Sequence, residues 1–579
     1  MQTVIQIHRR AYTRRLKKIA AMKTSVSERA FFNPRILVSF VLFIAAIIAT
    51  LFGLSGSSTP SALAQPPDPA RNVIVINSYH NDTSRSLRES AIWPPQATLE
   101  HEANENPKIP FHHLDKPDAV IQNIQVSVPG VLAPTIPRPI LNFNGIPYPG
   151  VGCNCAPSDS NGAVGETQYV QIVNEGYQVF DKRTGNSVLG PNTISSIWFG
   201  FGGVCENGGS GDPVVLYDHL ANRWLISQFA GRPGVFPTDE CIAVSTTSDA
   251  TGSYHRYGFH LGTKAFDYPK LSVWPDAFYM SMIVFNSSVT AYLGPQPFAF
   301  DRASMLAGHP ASLITFDPLG ANVDPLLPAD LDGSRLPPPS APNPFVEFPG
   351  NDKYNIYHFH VDFGNPAQSS FTLFASPDAA PFTQICPATR ACVPQKDVRA
   401  SSKLDAIGDR LMFRLAYRNF GTHESLVSNY TVKAGGVAGV RWFELRHVTS
   451  GAARVFQEST YQPDLTWRWM AGAGMDKDGN LAIGFSASNP SIFPQIRYAG
   501  RKATDPLNTL AQGERHLFNG TGSQQRTSNR WGDYSGLSID PVDDTTFWYT
   551  NQYYDATSSF NWRTRIGNFK VGGAVAVPH

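Results

Sequence analysis

The chain has 579 residues, 47 basic and 46 acidic, for a formal net charge of +1. The balance is uneven: residues 1–64 hold nine of the basic residues and one acidic one, which leaves 38 basic and 45 acidic residues, a net of −7, in the rest. A mildly acidic body without a basic run excludes non-specific nucleic-acid binding, and no Walker, dinucleotide-binding, zincin, haem-attachment or nucleophile-elbow motif is present.

Residues 1–64 read as a secretory signal. The basic residues Arg9 to Arg35 precede an uncharged apolar run, Ile36 to Leu54, and the small-residue site Ala62-Leu63-Ala64 follows. Met22 is a more ordinary start than Met1. The alternative is an uncleaved anchor, since 19 apolar residues can just span a bilayer. A cleaved leader frees the body; an uncleaved one tethers it to a membrane.

Residues 65–150 carry scattered prolines and weak periodicity. They read as an irregular arm or linker that packs on the body or stays loose. Its His101, Glu102, His112 and His113 read as solvated linker residues, and no metal or cofactor is expected.

From residue 151 to 572 the texture is all-β, before a short tail at 573–579. Strand-length runs include Tyr169–Val173, Trp224–Phe229, Phe278–Val284, Tyr357–Val361, Leu481–Phe485 and Thr546–Thr550, each closed by a turn. Arg302 to Leu306 suits a helical turn. Asp476-Lys-Asp-Gly-Asn480 resembles the start of a calcium loop, but Ala487 stands where the closing acid belongs, so a hairpin turn is expected.

The runs group into units. Polar openers stand at Asp159, Asp212, Asp267, Asp330, Asp409, Trp467 and Asp533, spaced by 53 to 79 residues. Seven units of about four strands fit a β-propeller, in which stacked blades bury the faces that one sheet cannot bury alone. Six or eight blades are the alternatives, because the fourth unit is irregular around Pro337-Pro338-Pro339.

All six cysteines follow the leader. An exported chain favours disulfides. Cys386 and Cys392 bracket a short loop, Cys205 and Cys241 flank a strand pair, and Cys153 and Cys155 suit a local disulfide better than a metal site.

Several phrases together resemble a group of large secreted bacterial sialidase-like β-propellers of largely uncharacterised function. They are Asp159-Ser-Asn-Gly-Ala-Val-Gly165, Gly211-Asp-Pro213 with Asn222-Arg-Trp224, Asp267-Tyr-Pro-Lys270, Arg414-Leu-Ala-Tyr-Arg-Asn-Phe-Gly421 with His423-Glu424, and Arg530-Trp-Gly-Asp-Tyr534 with Thr546-Phe-Trp-Tyr549. The likeness covers residues 150–570. Thr247-Ser-Asp-Ala-Thr-Gly-Ser-Tyr254 approaches the repeated sialidase turn once, with one extra residue.

In a propeller the inner strands start around one end of the axis, so their opening residues converge there. The candidate catalytic residues are Asp533, Asp212, Asp267, Glu424 and Tyr534, because glycoside cleavage needs one protonated and one charged carboxylate. Asp159, Asn161, Tyr268, Asp330, Asp332 and Asp409 share the same expected location. Candidate ligand-binding residues are Arg414, Arg468 and Arg530, whose guanidinium forks suit a sugar carboxylate as a sialidase arginine triad does. Lys270 and His423 join them, with Trp469 and Trp531 as stacking faces.

Two functions follow. One is a hydrolase or lyase on an acidic glycan. The other is a non-catalytic extracellular propeller that binds or adheres to a cell-surface or matrix partner. In either case the expected partner is a polysaccharide or cell-surface glycan and the chain is expected to be a monomer. The first requires an open funnel; the second requires that the same residues be buried and paired with one another. An Asp at a blade opening also caps turns without any chemistry.

Overall fold

The computed structural model describes residues 72–90, 109, 115–122, 136–151, 156–209, 211–231, 238–399, 401–525 and 529–572. The leader, the 573–579 tail, Cys153, Cys155, His101, Glu102, His112 and His113 lie outside the described residues. No helix among the described residues is long and apolar enough to cross a membrane.

The fold is a β-propeller built from antiparallel four-stranded sheets. The inner strands are, in chain order, β1 (Asn161–Val164), β2 (Val214–Asp218), β3 (Ala265–Val273), β4 (Leu326–Asp332), β5 (Met412–Asn419), β6 (Trp467–Met475) and β7 (Gly536–Ile539). Each lies against the next, and β7 returns to β1, so the inner strands close a ring. Between β4 and β5 the contact becomes a parallel ladder, with Ala329 opposite Leu415 and Asp332 opposite Arg418. At the seam, a Cβ on Gly536 would stand 2.7 Å from the Gly162 nitrogen, so only glycine lets β7 approach β1 this closely.

The cores lie between blades. Val170, Ile172 and Tyr177 of the first sheet pack on Val215, Trp224 and Ile226 of the second. Ala482 and Tyr498 pack on Leu537, Tyr549 and Phe569 across the sixth and seventh. Such side chains alternate with those facing the other neighbour, which is why the sequence runs read as strands with both faces apolar. The expected strands recur as Gln168–Val173, Arg223–Ala230, Phe278–Phe285, Ile356–His360, Leu481–Asn489 and Phe547–Tyr554, and Arg302–Ala307 is a short helix capped by Asp301. The Asp476 turn is a hairpin connection whose carboxylate accepts the Asp478 and Asn480 amides.

The N-terminal arm is more regular than its composition suggests. Ile74–Asn77 adds a strand to the outer edge of the third sheet and His80–Thr83 to that of the second. Ile121–Gln122 pairs in parallel with the edge of the fifth. Leu141–Asn144, expected in the arm, is the outermost strand of the seventh sheet and pairs with Trp562–Phe569. Pairing supplied by distant strands leaves no local signature, so the arm's periodicity looked weak.

Charge also fixes the arm. Asp118 meets Arg441 at 2.8 Å and accepts from Thr460 Oγ1 at 2.7 Å, and both charged side chains are almost wholly buried. Glu458 is the second acid on Arg441, at 2.9 Å. Asp118→Ala leaves a buried guanidinium half neutralised, and the expected cost is of order 3 kcal/mol. Chemical denaturation of the variant beside the parent measures it, and Asp118→Asn separates lost charge from lost hydrogen bonding.

Candidate functional site

The openings of the inner strands crowd together at one end of the axis. Backbone geometry there is unusual. Asp159, Asp212, Tyr268, Ile407 and Met470 all have φ between 41° and 56° just before or at the start of an inner strand, and Gly532 has φ 78° before β7. Left-handed backbone in non-glycine residues is held only by strong surroundings. On β3 the register slips between Asp267 and Lys270, so Tyr268 and Pro269 bulge from the ladder and turn toward the axis.

The side chains interlock. Asp159 accepts from Asn174 Nδ2 and from the Asp533 amide, both at 2.6 Å. Asn174 in turn accepts the Asp212 amide at 3.0 Å. Arg530 pairs with Asp533, and Arg390 with Asp405 at 2.9 Å. Arg410 donates to Asp409 at 2.8 Å and lies 4.6 Å above the Tyr268 ring. The Lys270 ammonium sits 3.4 Å from the Tyr268 ring centre and 4.0 Å from that of Tyr534, and donates to the Pro269 carbonyl. Asn161 bridges β1 to β2 through the Pro213 carbonyl and the Val215 amide.

Five acids (Asp159, Asp212, Asp405, Asp409 and Asp533) thus meet four bases (Lys270, Arg390, Arg410 and Arg530), all buried. Burial, then the Asp533 charge, pushes the Asp159 carboxyl up to about 7. Burial pulls the Lys270 ammonium down to about 8, against the attraction of Asp212, Asp533 and Asp159. For Asp533, burial is outweighed by Arg530, Arg410 and Arg390, which hold its carboxyl below the usual range. A proton on Asp159 therefore evens the count, and the low-dielectric cluster carries little net charge.

Of the expected site residues, Asp159, Asn161, Asp212, Tyr268, Lys270, Asp409, Arg530, Asp533 and Tyr534 converge, with Asp267 beside them accepting the Tyr268 amide. The others do not. The arginine triad does not form, because two of its members have acids of their own elsewhere. Arg414 binds Asp330 and Asp332 at 2.6 and 2.5 Å, farther down the axis. Arg468 turns outward within its blade to Asp464 and Glu514. Glu424 lies at the far end of its strand from the opening, buried against Tyr417 and Thr449, and His423 stacks on Phe420. Trp469 and Trp531 offer no open face. They pack together in a buried core, and the Trp531 ring nitrogen donates to Ser486. Asp330 does not open its unit either: it lies near the end of β4, and Asp324 stands before that strand.

Sequence reasoning missed Asn174, Asp324, Arg390, Asp405 and Arg410. Asp324-Pro325 before an apolar run repeats Asp212-Pro213, a signal that was readable. Burial, then Glu347 and Asp409, raises the Asp324 carboxyl well above its usual range. Arg390 comes from the loop closed by the Cys386–Cys392 disulfide, and its amide donates to the Cys386 carbonyl at 2.9 Å. The second expected disulfide, Cys205–Cys241, is also formed. No group of three or more metal-ligating side chains occurs among the described residues.

No family model and no curated protein matches the chain. Among solved structures, it is similar to a phage phi92 endosialidase (8% identity, 77% of this chain, 70% of that one, TM-score 0.35). It is similar to the WD40 domain of SCAP from fission yeast (10% identity, 71% and 95%, TM-score 0.32). It is also similar to a Trypanosoma rangeli sialidase mutant displaying trans-sialidase activity (9% identity, 62% and 53%, TM-score 0.27). The assignment of the fold rests on the sheet order itself.

A carboxyl raised by folding stabilises the native state below its unfolded value and loses that contribution as pH rises through its folded value. For Asp159 the window runs from about 4 to about 7. Asp159→Asn is expected to flatten the fall of Tm across that window relative to the parent. Calorimetry in a pH series checks this, and an unchanged slope would show that Asp159 is not the titrating group.

Proposed function

We propose that this is an exported β-propeller that binds a cell-surface or matrix glycan without turning it over. One observation carries the reading: the acids and bases gathered at the strand openings are buried and engaged with one another. A hydrolytic pair must reach a substrate and a water. Asp159 is 0% exposed and Asp533 3%, and their hydrogen bonds and ion pairs run to protein groups. Export is supported by the basic-then-apolar leader and by the two disulfides, which suit an oxidising compartment. The resemblance of its phrases to sialidase-like propellers supports the glycan.

A second reading has its own observation. Asp159 is held toward the protonated form and Asp533 toward the charged form, the division of labour that a glycoside hydrolase or lyase needs. The binding reading predicts no new reducing ends or unsaturated products from a panel of neutral and acidic polysaccharides, together with retention of one of them on an affinity gel. It also predicts that Arg530→Ala lowers Tm, since Asp533 and Asp405 then lose a buried cation. Product formation that vanishes in an Asp533→Asn variant of parental Tm would establish the enzyme instead.

A further inference from the structure

The charged entrance has a cover. Residues 386–396 belong to none of the inner strands. They leave the fifth blade, where Thr383–Gln384 pairs with Val432 and Lys433, and cross toward the sixth and seventh. There the Pro394 carbonyl accepts from Ser488 Oγ at 2.8 Å. Gln395 exchanges two hydrogen bonds with the Gln524 backbone, at 2.9 and 3.0 Å, and the Lys396 carbonyl accepts from Ser523 Oγ at 2.7 Å. Beneath this flap, Val393 shares a buried core with Trp469, Met470 and Trp531. Ala391–Val393 pairs with Leu404–Asp405, and Asp405 stands 3.9 Å from the Arg530 that pairs with Asp533.

One covalent bond fastens the flap at its start. Cys386 and Cys392 are six residues apart, and the loop they close carries Arg390 inward to Asp405. Arg390 has φ 57°, a left-handed conformation that needs fixed surroundings in a non-glycine residue. Its carbonyl accepts the Ala406 amide at 3.1 Å. A closed loop this short has few conformations; opened, it regains them, and the pull on Arg390 is lost. The bond is also the reachable one of the two disulfides. Cys205 and Cys241 are each 0% exposed. Cys392 is half-buried, and Pro387, Ala388 and Thr389 beside it are exposed. Disulfide exchange requires that a thiolate reach a sulfur atom.

We propose that Cys386–Cys392 is a thiol-sensitive latch: a small thiol opens it, Arg390 leaves Asp405, and the charges and tryptophan faces beneath the flap become reachable. The thiolate attacks the Cys392 sulfur, the bond to Cys386 breaks, and Cys386 departs as a thiolate. A second thiolate attacks the mixed disulfide and releases Cys392. Both cysteines take up protons, and two thiols are oxidised to one disulfide. Without Arg390 the five acids of the entrance face three bases, so the uncovered end of the axis turns acidic. The inference goes beyond the glycan-binding reading and does not depend on it.

Native-state hydrogen exchange on the purified full chain tests it, with dithiothreitol as the thiol and iodoacetamide as the trap. Mass spectrometry is expected to find Cys386 and Cys392 alkylated while Cys205–Cys241 stays intact. Exchange should then rise about tenfold across 386–396 and 404–407, and stay at the parental level in Gln168–Val173 and Phe278–Phe285. Cys386→Ser combined with Cys392→Ser should show the same pattern without thiol; if that variant does not fold, the reduced parent decides. Arg390→Gln keeps the disulfide and should raise exchange in 404–407 alone. Unchanged protection in 386–396 after reduction overturns the proposal. So does exchange that rises in every sheet, which would make the bond a support of the whole ring. Reduction of both disulfides at one rate, or unchanged exchange in 404–407 of Arg390→Gln, overturns it as well.

Discussion

Every inner strand of this ring starts at the same end of one axis, so the residues that open them must share a small volume. When those residues are charged they cannot escape to solvent without breaking the ring, and they have to neutralise one another. The rest of the entrance follows from that constraint. Asp533 is paired by Arg530, Arg390 is delivered on a disulfide-closed loop to Asp405, and Lys270 is wedged between two tyrosine rings. One acid, Asp159, is left to keep its proton. The left-handed residues at the openings belong to the same account, because a network of fixed partners can hold backbone that is unfavourable by itself.

The two ends of the axis divide the work. At the openings, charge is matched and sealed, which gives the blades a common anchor. Farther along, Arg414 of β5 is held by Asp330 and Asp332 of β4, which ties the fourth blade to the fifth.

Much of this was legible in the sequence, for a physical reason: strands packed on both sides are apolar throughout, and their openings are polar. The units marked by Asp159, Asp212, Asp267, Asp409 and Asp533 were found that way. The fourth was misplaced because Asp330 lies in a louder acidic phrase than Asp324, although Asp324-Pro325 has the better context. The arginines failed as a group because position within a strand decides which way a side chain points. A bulge between Trp469 and Gly472 breaks the alternation that would have placed Arg468. Arg390 was invisible because nothing local ties a surface-like loop to an axis. The strands of the arm were missed because their partners lie hundreds of residues away.

That separation has a temporal side. Leu141 bonds to Asn568 across 427 residues of chain. A strand made early must wait, unpaired, until nearly the whole protein has followed it, and the seventh sheet is complete only then. Closure of the ring is thus the last event that synthesis permits. The ring behaves as a clasp whose two halves are its first and last strands, and its fastening reports that the entire chain has arrived.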